Sequence, residues 1–283
     1  MNKLAIIADT SQDLKADLAE HYGIEIIHYM LQMGDKHYRD LIDIDSREFY
    51  EQMQHHDVLS TGIPPIQEII DLLDRLVEKG YTQAVVITAS LKLTGMRQLY
   101  EVVKEQYKNL EIFIYESNYI ASITGLLSIY AAELREDGKS AEEILAELER
   151  VENKAGIYAL FRTLKYVIKG GRFNKYAGMI GAFFNINPLL TIHNGEIEII
   201  NKARGKKRSY ATLLAAAKEK LQGAKRYKIA LFAGNNNEEI SQLQKDLAEE
   251  IANAETSIVT ELTPVLGVHA GPQSVGISIL VID

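Results

Sequence analysis

The chain has no cysteine and no tryptophan. Without cysteine it can form no disulfide, no thiolate metal site and no cysteine-nucleophile active site, and it suits a reducing compartment. Two phosphate-binding patterns are also missing, since neither a Walker glycine–lysine loop nor a GxGxxG stretch occurs. These absences exclude thiol chemistry and leave no recognisable nucleotide-binding loop.

Long apolar runs are scarce as well. The opening residues, MNKLAIIADTSQDL, become polar too soon for a signal peptide. Residues 176–195 and 262–282 carry no Asp, Glu, Lys or Arg, but asparagines and a proline interrupt the first stretch, and prolines and glycines interrupt the second. A membrane-spanning helix needs about 20 predominantly apolar residues. We therefore expect no membrane span, at most transient membrane contact, and a cytoplasmic location.

The length and the charge distribution indicate two domains. The 283 residues, 47% of them hydrophobic, can bury one large core or two ordinary ones, and the usual domain size favours two. Residues 1–155 hold 15 Lys and Arg against 28 Asp and Glu, a net −13, whereas residues 156–283 hold 16 against 11, a net +5. We expect two domains that meet near residue 155, with a ligand between them, because interfaces between domains often hold ligands.

The first half, residues 1–155, alternates strands with helices and predicts an α/β domain with a parallel sheet. Apolar runs predict strands over residues 4–8, 24–30, 84–88 and 110–115. Helices are expected over residues 12–22, over 47–55 with Ser46 as the cap, and from Pro64-Pro65 to Gly80. A further helix follows the loop after residues 84–88 and ends at about residue 107, and another begins after a Ser140–Glu143 capping box.

The second half, residues 156–283, predicts an α+β domain. Its expected strands cover residues 156–161, 227–232, 257–260 and 276–282. One expected helix ends at Gly170-Gly171, and two others cover residues 209–222 and 237–253. Residues 189–201 predict a hairpin around Asn194-Gly195, because Asn-Gly favours a type I′ turn.

Four segments with hydroxyl side chains follow predicted strands in the first half. They are Asp9-Thr10-Ser11, Ser60-Thr61-Gly62, ASLKLTG at 89–95 and Glu116-Ser117. Ligands of α/β domains bind in the loops that follow the carboxyl ends of strands. Serine and threonine also cap helices, which is the alternative for any one loop. Together, they favour a site for a neutral or singly charged oxygen head group.

Two cationic segments stand out in the second half. In KGGRFNKYAG, at 169–178, Arg172 follows a glycine pair and offers planar donors to a carboxylate or phosphate, unless it is a solvated helix end. KARGKKR, at 202–208, puts five cations into seven residues. This run is either a solvated loop or a surface for a nucleotide or an acidic partner. The acidic chain and the lack of interleaved aromatics argue against nucleic acid.

His269 lies in GVHAGP, at 267–272. By itself the motif allows a loop residue, a core residue or a site residue. The flanking glycines would let the backbone approach a ligand closely. A Ser-His-Asp hydrolase lacks a GxSxG elbow here, and the histidines show no metal-ligand spacing. Two alternatives stay open: a small-substrate phosphotransferase or hydrolase with His269 as general base, and a protein-interaction module that uses residues 202–208.

Several motifs, taken in order, resemble the DegV family of bacterial fatty-acid-binding proteins, and the likeness runs nearly from end to end. The matching segments are IIADTSQDL at the start, YRDLIDIDSREFY at 38–50, STGIPP at 60–65, SLKLTG at 90–95, ESNYIASITG at 116–125, and then KGGRF, NPLL, ARGKKR and GVHAGP.

The resemblance implies a two-domain, DegV-like protein that buries one long-chain fatty acid between its domains and uses no cofactor or metal. It implies a lipid-binding, non-catalytic subunit of fatty acid kinase, active in phospholipid metabolism. The carboxylate would be held by the hydroxyls of Thr61 and Thr94. Arg172 and His269 would meet the acyl phosphate formed by a separate ATP-dependent kinase subunit. Expected pocket neighbours are Ser11, Ser90, Gly95 and Ser117.

The chain departs from the family pattern around these candidates. The usual TSQPS is TGIPP, with Gly62 and Ile63, and Leu91, Met96, Arg97 and Glu116 also differ from common family residues. MIGAFFN, at 179–185, is either a pocket wall or an ordinary core helix. The sequence leaves open the length and saturation of the acyl chain and the domain that holds it. It also leaves open the oligomeric state and the kinase partnership.

Overall fold

The computed structural model describes residues 3–173, 176 and 186–283. The strands are β1 (Leu4–Asp9), β2 (Ile24–Ile27), β3 (Met30–Met33), β4 (Lys36–Arg39), β5 (Leu59–Gly62), β6 (Gln83–Thr88), β7 (Glu111–Glu116), β8 (Ala155–Leu160), β9 (Ile186–His193), β10 (Glu196–Arg204), β11 (Tyr227–Gly234), β12 (Thr256–Glu261) and β13 (Ser274–Val281). The helices are α1 (Ala16–His21), α2 (Ser46–Gln52), α3 (Ile66–Glu78), α4 (Met96–Gln106), α5 (Ser122–Glu136), α6 (Ala141–Glu152), α7 (Lys165–Lys169), α8 (Lys206–Leu221), α9 (Asn237–Asp246), α10 (Ala248–Asn253) and α11 (Pro264–Ala270).

The first half contains the predicted parallel sheet. Its four strands run in the order β2-β1-β6-β7, and every pair is parallel. All six residues of β1 are buried, as are five of the six in β6. Strands covered on both faces by helices read as continuous apolar runs, which is why the sequence predicts them well.

The second half contains a mixed sheet of six strands in the order β10-β9-β8-β13-β11-β12, in which only β11 and β12 run parallel. The predicted β9–β10 hairpin is confirmed. Its turn residues Asn194 and Gly195 have φ angles of 49° and 78°, as a type I′ turn requires. The mixed α/β fold class is therefore as expected.

Helix α5 connects the two sheets. It packs against strands of both, and its Ser122 Oγ lies 2.9 Å from Ser278 Oγ of β13. One core cluster consequently runs through both halves, from Ile6 in β1 to Ile157 in β8 and Phe232 in β11. The division into domains 1–155 and 156–283 stays a prediction.

A third sheet, formed wholly by the first half, packs against α11 of the second. Its strands run antiparallel in the order β4-β3-β5, and a small core beneath it joins Leu31 and Phe49 to Val268 of α11. A Cβ atom on Gly267 would lie 2.6 Å from the Phe49 ring, so this glycine lets α11 pack closely on α2. The contact brings β5 beside the end of α11.

Several local predictions are wrong. Residues 12–22 form a 3-10 turn over Thr10–Gln12 and then α1, not one helix. The predicted strand 24–30 divides into β2 and β3. Asp45, not Ser46, caps α2, because its carboxylate accepts the Glu48 N–H at 2.8 Å. Ser60-Thr61-Gly62 lies within β5 rather than in a loop. The Ser140–Glu143 capping box is confirmed.

Four elements were not predicted at all: β4, β5, α5 and α11. Twelve of the fifteen residues of α5 are buried, so the helix lacks the polar stripe that reveals a surface helix. The segment of α11 contains a proline and a glycine, which indicate a loop when they are read locally. Within the described ranges, no helix combines the length and the apolar character needed to cross a membrane.

Candidate functional site

A cavity lies among β5, α11, the loop before α4 and the inner face of the six-stranded sheet. Its volume is about 140 Å³. A single buried water needs about 10–15 Å³ on this measure, so the cavity is far larger than a packing gap. Its described lining includes a polar cluster, formed by Ser11, Tyr29, Thr61, Thr94, Arg172 and His269, and an apolar wall, formed by Ile157, Ala159, Leu190, Ile192 and Phe232.

Thr61 and His269 meet in the polar cluster. Thr61 Oγ1 on β5 lies 2.9 Å from His269 Nε2 in the last turn of α11, although 208 positions separate them in the sequence. A Cβ atom at Gly170 would lie 2.1 Å from His269 Nδ1, so only glycine leaves room for the imidazole. Burial and the neighbouring Arg172 lower the pKa of His269 to about 3. The imidazole is therefore neutral at pH 7 and contributes hydrogen bonds rather than charge.

Thr94 is paired with a tyrosine that sequence reasoning missed. The Tyr29 hydroxyl, between β2 and β3, lies 2.5 Å from Thr94 Oγ1. Tyr29 is only 4% exposed, and it lines the cavity. The one local signal for Tyr29 is the break between two short strands, which the sequence reading merged into one.

Arg172 supplies the positive charge of the cluster. It is the single Lys or Arg among the described residues that line the cavity. The guanidinium donates to the Leu93 carbonyl at 3.2 Å and to the Gly170 carbonyl at 2.6 Å, and burial lowers its pKa. Gly171, with a φ of 73°, provides the sharp turn that the sequence predicts after α7. An anion in the cavity would find its counter-charge here.

The four expected pocket neighbours are placed differently from one another. Ser11 and Gly95 line the cavity. Ser90 Oγ donates to the Gly195 carbonyl at 3.1 Å, and Ser117 Oγ shares a hydrogen bond of 3.1 Å with Thr124 Oγ1. Neither Ser90 nor Ser117 is among the described residues that line the cavity. As ligand neighbours, both stay predictions.

The glycines around His269 allow close packing of α11. Gly267 accommodates the Phe49 ring, and a Cβ atom on Gly271 would lie 2.2 Å from the Tyr166 ring. They allow α11 to pack tightly against its neighbours. The expectation that they bring the backbone close to a ligand stays a prediction.

Some departures from the family pattern compensate one another. Arg97 donates to Glu116 at 2.5 Å, and the same carboxylate accepts the Leu91 N–H at 2.8 Å. Met96 is fully buried, whereas Gly62 and Ile63 line the cavity. Three of the unusual residues thus form one structural group at the start of α4.

The cationic segment 202–208 is not among the described residues that line the cavity. Lys202, Arg204 and the cations at 206–208 are exposed at the end of β10 and the start of α8. MIGAFFN, at 179–185, lies outside the described residues.

Two buried carboxylates hold α11 in place and were also missed. Asp13 Oδ1 accepts the Thr263 N–H at 3.1 Å, and Asp40 Oδ1 accepts the Val265 N–H at 3.2 Å. Burial raises the pKa of Asp13 to about 8 and that of Asp40 to about 7. Both anchor the first turn of the helix that carries His269. Nothing in the sequence marks them, because their partners lie more than 200 positions away.

Comparison with known proteins agrees with this architecture. The family model described as "Uncharacterised protein, DegV family" matches residues 3–281. A DegV domain-containing protein of Clostridium perfringens is 34% identical over 281 residues, which cover 99% of each chain.

Two solved structures share the fold. One is DegV, a fatty acid binding protein from Bacillus subtilis, with a TM-score of 0.91, 23% identity and coverage of 99% of this chain and 100% of that one. The other is a stearic acid-binding protein from Eubacterium ventriosum, with a TM-score of 0.85, 22% identity and coverage of 100% and 99%. The family match extends over nearly the whole chain, and this chain belongs to the DegV family.

Proposed function

We propose that this protein binds one long-chain fatty acid, with its carboxylate at the polar cluster and its acyl tail along the apolar wall. The observation that carries the proposal is that these two sets of residues line one cavity. An amphipathic ligand with a single small head group matches this arrangement, and similar proteins are described as binding fatty acids. Such pockets are mostly apolar, with a few polar groups that fix orientation.

The polar cluster has the donors that a buried carboxylate requires. Burying a charge without hydrogen bonds is costly, so the head group must receive them, and a nearby cation stabilises it further. Thr61 and Thr94 can donate hydroxyl protons, and Arg172 brings the cation. The neutral His269 can donate or accept through Nε2, which lies beside Thr61. We therefore assign the head group to these four residues.

We further propose that the bound acid is presented to a separate ATP-dependent kinase subunit in the cytoplasm and leaves as an acyl phosphate for phospholipid synthesis. Phosphorylation adds negative charge, which Arg172 is placed to meet. The exposed cations at 202–208 offer a docking surface for an acidic partner. In this role the chain itself is not an enzyme.

The alternative is a hydrolase or phosphotransferase that uses His269. The Thr61–His269 pair has the distance of a nucleophile and its base. A general base at neutral pH works best with a pKa near 7, whereas the pKa of His269 is lowered to about 3. Its Nδ1 also lacks a hydrogen-bond partner among the described residues, so no carboxylate orients the ring. These features favour a carrier.

Mass spectrometry tests the binding role directly. Purified protein, denatured and extracted, should release a long-chain fatty acid in stoichiometric amount. Extracted Arg172→Ala and His269→Ala proteins should still contain the acid. Preparations that release none, and that cannot be loaded with added acid, would show that the proposed function is wrong. Turnover of acyl or phosphoryl substrates by the isolated chain would support the enzyme instead.

The kinase role is tested separately with ATP and a fatty acid kinase catalytic subunit. The loaded wild type should be phosphorylated, and Arg172→Ala and His269→Ala should reduce the rate without emptying the pocket. The charge reversal Lys206→Glu with Lys207→Glu should slow phosphorylation while fatty acid content is unchanged. Equal phosphorylation rates for the wild type and all variants would contradict the roles proposed for Arg172, His269 and the cations at 202–208.

A further inference from the structure

Tyr29 connects the polar cluster to a buried carboxylate. The Ser11 N–H and hydroxyl both donate to Asp9 Oδ1, at 2.9 and 2.5 Å. The Tyr29 hydroxyl lies 2.5 Å from Thr94 Oγ1, and the Tyr29 side chain also interacts with Ser11. An interaction chain therefore runs from Asp9 through Ser11 and Tyr29 to Thr94, in which the Asp9–Ser11 and Tyr29–Thr94 contacts are hydrogen bonds.

The donors along this chain can be assigned in part. The hydroxyl proton of Ser11 is committed to Asp9, so Ser11 can only accept from Tyr29. Tyr29 has one proton, which goes either to Ser11 or to Thr94. Burial and the nearby Asp9 raise the pKa of Tyr29 well above its usual range, so the phenol keeps that proton.

The orientation of the Tyr29 proton decides what Thr94 offers to a ligand. If Tyr29 donates to Ser11, then Thr94 must donate to Tyr29, and its only proton points away from the cavity. If Tyr29 donates to Thr94, then the Thr94 proton is free to point into the cavity. A carboxylate can only accept hydrogen bonds, so it requires the second orientation.

On the basis of the proposed function, we propose that Tyr29 is a positioning residue for the head group. It donates its phenolic proton to Thr94 Oγ1 and thereby directs the Thr94 hydroxyl toward the carboxylate of the bound acid. Tyr29 makes this contribution through Thr94 and not through Thr61, whose described hydrogen bond is to His269.

Tyr29→Phe tests this role, because it removes only the hydroxyl. Affinity for a 16-carbon fatty acid, measured by displacement of a fluorescent fatty acid, should fall about tenfold, the effect of losing one hydrogen bond of ordinary strength. Tyr29→Leu, which also lacks the hydroxyl, should lose at least as much and serves as a second variant.

Double mutants provide the readout that a general structural effect would not reproduce. In a Thr94→Val background, Tyr29→Phe should change the affinity less than about twofold, because the residue through which it acts is gone. In a Thr61→Val background, the tenfold loss should persist. Equal losses in both backgrounds would overturn the role assigned to Tyr29.

Tyr100→Phe is the matched control. Tyr100 is 1% exposed, and its hydroxyl has no hydrogen-bond partner among the described residues. It is not among the described residues that line the cavity, so its replacement should leave affinity unchanged. If the wild type binds fatty acid and Tyr29→Phe binds it equally well, this inference alone is wrong. Wild type that binds no fatty acid overturns the proposed function and the inference with it.

Discussion

The polar cluster and the apolar wall of the cavity are built in opposite ways. The cluster collects single residues from separate elements: Tyr29 between β2 and β3, Thr61 from β5, Thr94 before α4, Arg172 after α7 and His269 from α11. The wall comes from strands in register, where Leu190 pairs with Ala159, Ala159 with Gly276, and Gly276 with Phe232. Hydrogen bonds require atoms placed to a fraction of an ångström, whereas a wall for an acyl chain requires only apolar side chains of suitable size.

Blocking the wall should have the largest effect on ligand binding. Ala159 is small, faces the cavity and lies beside Gly276, so Ala159→Phe would place a ring in the path of the acyl tail. We expect affinity for 16-carbon and 18-carbon acids to fall by about 100-fold or more, because an overfilled site must rearrange to admit ligand. Native mass spectrometry and displacement of a fluorescent fatty acid measure this loss.

Val102→Phe is the control for that variant, since Val102 is 45% exposed on α4 and should tolerate the added ring. Retained binding of shorter acids by Ala159→Phe would sharpen the assignment of the tail. Undiminished binding of 18-carbon acids would mean that the tail does not follow this wall.

Removing one donor from the polar cluster should have a smaller effect. Thr94→Val keeps the shape of the side chain but removes a hydroxyl that is expected to face the carboxylate. The loss of a hydrogen bond to a charged group corresponds to about 1.5–3 kcal/mol, or roughly 10-fold to 150-fold in affinity. Calorimetric titration with a solubilised fatty acid measures it.

The effect should be specific to the acid. Thr94→Val should bind the methyl ester of the same acid nearly as well as wild type does, because the ester has no negative charge. Thr212→Val on α8, where the hydroxyl donates to the Ser209 carbonyl, is the control outside the cavity. Equal losses for acid and ester would place the head group elsewhere.

The smallest predicted effect concerns the pH dependence of stability. The pKa of His269 is lowered from its usual value to about 3, so the folded state binds a proton less readily than the unfolded state. The contribution of His269 to the free energy of unfolding is therefore complete above pH 6.5, and it is lost as the pH falls toward 3. Between pH 7 and 5, His269→Gln should gain stability relative to wild type by on the order of 1–2 kcal/mol.

Denaturant unfolding of both proteins at several pH values measures this difference. Asp13 and Asp40 change the free energy of unfolding in the opposite direction with pH, but they do so equally in both proteins and cancel in the comparison. Their pKa values are raised, so their contributions favour folding below pH 4 and are lost as pH rises toward 8. Ala159→Phe, which changes only the apolar wall, should show the same pH profile as wild type. A pH-independent difference for His269→Gln would contradict the lowered pKa.

Elements that obey local rules were predicted well from the sequence. The buried strands β1 and β6, the amphipathic helix α3, the Asn194-Gly195 turn and the capping box at Ser140 each follow from residues within a few positions of one another. The helices α5 and α11 and the short strands β4 and β5 were missed, because burial by distant parts of the chain overrides their local preferences. The same limit hid Tyr29, Asp13 and Asp40.

The sequence by itself determined the family, the mixed α/β class and the residue types of a site with hydroxyls, an arginine and a histidine. These depend on short motifs and on hydrophobic periodicity, which are properties of neighbouring residues. Only the tertiary structure decided that Thr61 lies beside His269, that Thr94 lies beside Tyr29 and that the apolar wall belongs to the six-stranded sheet. The physical reason is that these contacts join residues 65 to 208 positions apart, and their geometry arises only when the sheets and α11 pack together.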